Sequence, residues 1–139
     1  DADYTQRLCQ TLSALLMVGK RVLMVVISKS GTTLETMVQA QVLYDLLTVY
    51  HPRDAAAYVV VITDEQSQLW HLAQQHSWAT LTIPAAIGGR FSAFTAVTLF
   101  PLAVVGLNIA QLLAGAQQMY EQITTDATHN ARKSAQWLY

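Results

Sequence analysis

The chain is short of charge. Asp, Glu, Lys and Arg make up only 12% of its 139 residues against 53% hydrophobic, and 8 basic groups nearly cancel 9 acidic ones. Without a basic surplus there is no electrostatic footprint for nucleic acid. So apolar a composition also implies that some apolar surface is covered by another chain or by further sequence, so a homo-oligomer or a fragment is expected. Cysteine is almost absent. Cys9 alone cannot form an internal disulfide, which makes a reducing, cytoplasmic setting the default, and it reads as a small residue on a buried helix face. The opening DADYTQRLCQ has nothing like a signal peptide. Internal repeats, low-complexity tracts and flexible linkers are missing too, and the length suits one ordinary domain with a real core.

Residues 91–120 contain no charged side chain, which is long enough to test against a membrane span. Ser92, Thr95, Thr98, Pro101, Asn108, Gln111, Gln117 and Gln118 interrupt it. Asn108 reads as an N-cap, with Ile109, Leu112, Leu113 and Ala116 on one helical face, so two buried helices are expected there and no membrane contact. Pro101 is expected to kink or divide the helical stretch. Arg132 and Lys133 read as a solvated tail.

Upstream, Leu8, Leu12, Leu15 and Leu16 predict a helix over 4–17 ending near Gly19. RVLMVVI is apolar at every position after Arg21 and reads as a strand buried on both faces. Leu34, Val38, Val42 and Leu46, with Met37 beside them, lay an apolar stripe along a helix running to about Tyr50, which HPRD breaks. AYVVVITD repeats the strand signature, Leu69, Leu72, Ala73 and His76 mark another helix, and ATLTIP makes a third strand. This alternation predicts an α/β fold: a partial, doubly wound parallel sheet of about three strands with flanking helices and a helical region from about residue 91.

Between the first strand and its helix lies SKSGTT, residues 28–33, with four hydroxyls, a lysine and a glycine. The loop leaving the C-terminal end of a parallel strand is where open α/β folds bind ligands. The helix behind it offers unpaired N–H groups and the positive end of its dipole, which suits an anion. Thr32 and Glu35 also fit a capping box, which needs no ligand but leaves Ser28, Lys29, Ser30 and Thr33 unexplained. Phosphate binding is therefore favoured over capping alone. Gly19-Lys20 lacks the flanking residues of a nucleotide-binding P-loop, so a sugar phosphate is the better expectation.

No metal site is expected. His51, His71, His76 and His129 have no ligand-like spacing; His76 reads as a core or helix-end residue and the others as surface. Neither Glu35 nor Glu121 reads as a general base, since the first is already used by the cap and the second has no supporting motif.

VISKSGTTLET resembles the sugar-phosphate-binding signature of the glucose-6-phosphate isomerase (phosphoglucose isomerase) family. IGGRFSAFTAVTLFPLAVVG resembles that family's second signature. The shorter Ser-x-Ser-Gly-x-Thr pattern is shared with the wider group of sugar isomerase (SIS) domains. The resemblance implies that residues 1–139 are part of a SIS domain. By the same resemblance Ser28, Lys29, Ser30 and Thr33 contact the substrate phosphate through side chains or backbone N–H groups, with Gly31 shaping the turn. Arg90 stands near the reacting carbons, aimed by Gly88 and Gly89, where a guanidinium can stabilise a cis-enediolate. The family's upstream Gly-Ile-Gly-Gly-Ser turn is not in this sequence, nor are the contexts of its proton-transferring glutamate, ring-opening histidine and active-site lysine.

The implied function is the sugar-phosphate-binding part of an isomerase that interconverts glucose 6-phosphate and fructose 6-phosphate without metal or organic cofactor. Two other readings stand beside it. One is a non-catalytic SIS module that binds a phosphosugar for regulation. The other is a degenerate folding or interaction unit.

Overall fold

A computed structural model describes residues 2–126 and 129–131. Residues up to Thr98 and those from Leu99 onward form two separately compact units.

The first unit opens with α1 (Ala2–Met17), followed by β1 (Met24–Ile27), α2 (Leu34–Tyr50), a 3-10 turn (Ala55–Tyr58) and β2 (Val59–Thr63). Then come α3 (Gln68–His76), β3 (Ala79–Thr82) and a second 3-10 helix (Gly89–Phe94). The three strands form one parallel sheet in the order β1-β2-β3, with Met24 opposite Val59 and Val60 opposite Ala79. This is the expected α/β architecture. Side chains alternate across a strand, so Met24 and Val26 share a face with Val59 and Val61. That face joins Leu16 of α1, Ala40 and Leu47 of α2, and Leu69 and Ala73 of α3 in one buried cluster.

Burial on both faces is approached in only one strand. In β2 four of five residues are buried, whereas β1 alternates between buried and half-buried. The sequence expectation of a first strand buried on both faces, starting near Arg21, is thus corrected. An edge strand has a neighbour on one side only, and pairing here begins at Met24. Leu15, expected on the inner face of α1, is 40% exposed.

The inward face of α2 is also not the one its pattern suggested. Ala40 and Leu47 are buried, with Met37, Leu43, Tyr44 and Tyr50 packed against the core. Leu34 and Val38 of the expected stripe are 72% and 53% exposed. With Val42 they line a groove of about 680 Å³ shared with Ala2, Thr5, Gln6 and Cys9 of α1, so Cys9 is half-buried rather than a core residue. The helix is apolar on two faces, and period 3.6 cannot say which one meets the sheet.

Trp78 follows the end of α3 and stacks on His76 at 4.7 Å, with Tyr44 edge-on at 4.8 Å. His76 is the helix-end residue expected. His51, expected at the surface, is half-buried and stacks on Tyr58 at 4.1 Å.

Towards the C-terminus, α4 (Ala96–Val104) and α5 (Ile109–Thr125) replace the expected helical run from Phe91. Pro101 lies inside α4. The division comes at Gly106, which takes φ +86°, while its N–H and that of Leu107 bond the carbonyls of Ala103 and Leu102. This pairing is the Schellman termination that a left-handed glycine permits. Asn108 caps α5 as expected, its side chain accepting from the Gln111 N–H at 3.0 Å. Neither α4 nor α5 contains a buried residue, which corrects the expectation of two buried helices. Their apolar pattern records a face, not what covers it. No helix among the described residues is long and apolar enough to cross a membrane. Arg132 and Lys133 lie outside the described residues.

Of the six glycines, Gly31 leaves the least room for a side chain. It has φ +69°, and a Cβ there would stand 2.5 Å from Leu69 Cβ and nearer still to the Leu69 amide nitrogen. Left-handed backbone costs a non-glycine residue roughly 1–2 kcal/mol, and forced overpacking roughly 1–3 kcal/mol. Gly31→Ala is therefore expected to lower the urea midpoint clearly. Gly89→Ala, where an added Cβ meets nothing within 4 Å, should stay within about 0.5 kcal/mol of the parent. Equal midpoints for the two variants would refute this account of the turn.

Candidate functional site

All three strands point their C-terminal ends to one edge of the sheet, as parallel pairing requires. The loops leaving them are stitched together. The Ser28 N–H donates to the Ile62 carbonyl at 3.2 Å and that of Ile83 to the Thr63 carbonyl at 2.9 Å. The Lys29 carbonyl accepts twice, from the Asp64 N–H at 3.1 Å and from the Thr63 hydroxyl at 3.1 Å. Thr63 is fully buried, and its Oγ1 also lies 2.7 Å from Ser67 Oγ, which caps α3 by accepting from the Trp70 N–H.

Within the 28–33 turn each hydroxyl has a different situation. Ser28 is buried, and its Oγ accepts the Gly31 N–H at 3.1 Å. Ser30 Oγ lies 2.7 Å from Thr32 Oγ1 and accepts the Thr32 N–H at 3.3 Å; both residues are exposed. Thr33 is the N-cap of α2 by position, yet its side chain makes no capping hydrogen bond. The capping box expected of Thr32 and Glu35 does not form: α2 starts at Leu34, so Thr33 and not Thr32 stands at the N-cap, and the Thr32 hydroxyl is turned to Ser30. An α-helix leaves its first N–H groups without partners inside the helix. With no side-chain cap, those of Leu34, Glu35 and Thr36 have no partner among the described residues, at the end where the dipole is positive.

Lys29 is placed differently from the rest of its turn. Its Nζ donates to the carbonyls of Ala85 at 3.0 Å and Ile87 at 2.8 Å, and stands 3.9 Å from Asp64 Oδ2. Hydrogen bonds from charged donors contribute roughly 1.5–3 kcal/mol each. With 34% of the side chain exposed, the lower end of that range applies here. The ammonium thus ties the loop after β1 to the loop after β3.

That second loop leads into Gly88, Gly89 and Arg90. Arg90 is exposed on the Gly89–Phe94 3-10 helix and has no hydrogen-bond or ion-pair partner among the described residues. The backbone that carries it is held from behind. Ser92 Oγ donates to the Gly89 carbonyl at 2.6 Å, and Thr95 Oγ1 donates to the Ser92 carbonyl at 2.7 Å; both residues are buried. Gly88 and Gly89 do not take left-handed conformations, and an added Cβ would meet only ordinary contact or open space. The tight turn expected to demand glycine there is not what these two residues provide; the space beside their backbone is open.

Sequence reasoning missed Thr63, Asp64, Ser92 and Thr95. A polar Thr-Asp pair closing an otherwise apolar strand was the signal for the first two. Ser92 and Thr95, three apart in an uncharged segment, were counted only as breaks in hydrophobicity. Among the described residues, no group of three or more His, Cys, Asp or Glu is placed to hold a metal ion.

Known proteins resemble the chain along nearly all of this region. A family profile described as phosphoglucose isomerase matches residues 5–133. The glucose-6-phosphate isomerase of Leptospira biflexa is 37% identical over 130 residues, spanning 92% of this chain and 28% of that protein. The enzyme of the same name from Fusobacterium nucleatum is 40% identical over 106 residues, 76% of this chain and 24% of its own length. The crystal structure of a hypothetical protein from Thermus thermophilus superposes with a TM-score of 0.74 at 33% identity, covering 81% of this chain and 28% of that one. The chain therefore spans about a quarter of the length of these relatives. With the profile matched along nearly its whole length and the serine-rich turn and Arg90 loop joined at one edge of a parallel sheet, the chain belongs to the phosphoglucose isomerase family.

Proposed function

We propose that this chain is the sugar-phosphate-binding part of a glucose-6-phosphate isomerase, a partial SIS domain that holds the phosphate of glucose 6-phosphate or fructose 6-phosphate. The observation that carries the reading is the uncapped N-terminus of α2, with the hydroxyls of Ser30, Thr32 and Thr33 exposed beside it. Ser30 and Thr33 act through hydroxyl and backbone groups. Ser28 holds the turn in shape through Gly31, and Lys29 contributes its backbone N–H. Arg90 faces the sugar end, where it stabilises the charge that develops on the cis-enediolate. The open backbone of Gly88 and Gly89 lets a ligand approach closely. Phosphate binding far from the reacting carbons helps to orient them for proton transfer.

The sequence context of the family's proton-transferring glutamate does not occur in these 139 residues. Glu35 lies in the first turn of α2 at the phosphate end, Asp64 faces Lys29, and Glu121 accepts a hydrogen bond from Gln117. A general base contributes roughly a hundredfold to ten-thousandfold, so the chain alone is expected to have little or no isomerase activity in a coupled assay. Measurable turnover would overturn that. We place the complete protein in the cytoplasm and expect self-association, because β1 ends the sheet with one edge unpaired among the described residues. A monomer at high concentration in sedimentation would count against it.

The direct test is an amide-shift titration with fructose 6-phosphate, with fructose and inorganic phosphate as controls. Shifts at residues 28–36 and at Arg90 that need the whole sugar phosphate are expected; their absence from the 28–36 region would sink the reading. In a full-length protein containing this segment, Arg90→Ala should lower kcat by roughly a hundredfold to a thousandfold. If instead Arg90→Ala leaves function intact, the regulatory SIS module becomes the better reading.

A further inference from the structure

Two roles meet at Lys29, and its geometry separates them. Its turn belongs to the phosphate site, but two of the three N–H donors of its ammonium are committed to the Ala85 and Ile87 carbonyls. The main chain of the same residue is fixed at the other end, where its carbonyl accepts from Asp64 N–H and Thr63 Oγ1. Lys29 is therefore a strut, anchored to the end of β2 and reaching across to the loop after β3.

Asp64 sits beside this strut. At 3.9 Å its Oδ2 is too far from Nζ for a hydrogen bond, so it acts as a charge facing a charge. Its Oδ1 is buried without a hydrogen-bond partner among the described residues. A buried carboxylate oxygen left unpaired is costly. The Lys29 ammonium faces the other oxygen, Oδ2, of the same carboxylate. The segment that Lys29 grips is itself a closed turn, with the Ile87 N–H donating to the Pro84 carbonyl at 2.9 Å. It delivers the chain directly to Gly88, Gly89 and Arg90.

We propose that Lys29 and Asp64 are a positioning pair: the ammonium, braced by the carboxylate, clamps the 84–87 turn, so that phosphate at the 28–33 turn is transmitted to the placement of Arg90. This rests on the sugar-phosphate reading above, and goes beyond it by assigning the Lys29 side chain to the loop rather than to the phosphate. Neither residue of the pair touches the reacting atoms. Their task is to give one end of the site a mechanical hold on the other.

Lys29→Met, Lys29→Arg and Asp64→Asn, each in the 139-residue chain, test this by amide hydrogen exchange without ligand and by shifts on titration with inorganic phosphate. Without ligand, Lys29→Met should speed exchange over residues 85–90 by about tenfold relative to the parent while residues 59–63 of β2 keep their protection. At saturating phosphate, the parent should respond at 28–33 and at 88–90. Lys29→Met should keep the first response and lose the second, Asp64→Asn should weaken the second, and Lys29→Arg, which keeps charge and donors, should restore part of it. Unchanged exchange over 85–90 in Lys29→Met would overturn the clamp. Loss of the 28–33 response in that variant would make Lys29 a phosphate ligand and overturn the assignment. If phosphate shifts nothing in the parent, the site reading fails and the transmission with it, while the exchange comparison still decides the clamp.

Discussion

The turn after β1 must satisfy its own polar groups without covering the helix end behind it, and much of the structure follows from how it does so. Ser28 turns its hydroxyl inward to the Gly31 N–H, Thr32 turns its hydroxyl to Ser30, and the Lys29 carbonyl is taken up by the end of β2. Thr33 stands at the N-cap, but its hydroxyl does not close the first turn of α2. The arrangement works only because Gly31 has no Cβ, since Leu69 at the start of α3 occupies that space. Helix α3 therefore buttresses the turn, and its own start is fixed by Ser67 and Thr63, residues of the strand and loop that also hold Lys29. One network sets the shape of the site and the packing beneath it.

An anion at such a helix end meets N–H groups that need no reorganisation, and under the isomerase function proposed above such a site serves by lying away from the chemistry. The phosphate does not change during aldose-ketose interconversion, so binding it equally in substrate and transition state accelerates nothing by itself. It helps only if the rest of the sugar is thereby brought to a group that meets developing charge. Arg90 is carried on a turn stiffened by Ser92 and Thr95 and gripped by Lys29, rather than on a free loop. Among the described residues its guanidinium has no internal partner, which leaves its donors for a ligand.

The fold class was legible because apolar runs alternating with periodic segments leave few other ways to bury backbone and side chains together. The burial of individual residues was less so. RVLMVVI and VVVIT look alike as sequences, yet only the second is central in the sheet, and a strand's place in the order is a long-range property. Helix α2 carries Leu34, Val38 and Val42 on one face and Met37, Ala40, Leu43 and Leu47 on another. Either would have satisfied a helical periodicity argument. The face chosen for the core carries Ala40 and Leu47, the two buried residues of the helix. The other face lies along the groove with α1.

By itself the sequence determined the parallel α/β alternation, the serine-rich turn between the first strand and its helix, the Asn108 cap and the family resemblance. These depend on local patterns: propensity, periodicity and residue types at short spacing. Only the tertiary structure decided which way the side chains of that turn point. The capping box was a sound local inference that lost to a helix start one residue later, with Thr33 at the N-cap and the Thr32 hydroxyl turned to Ser30, because two adjacent threonines offer the same local signal and the backbone conformation selects between them. Lys29 is the sharper case. Its partners lie 56 and 58 residues away in the chain, and no spacing rule connects them. They meet because adjacent parallel strands deliver their loops to the same edge of the sheet, where one long flexible cation can span from the first loop to the third.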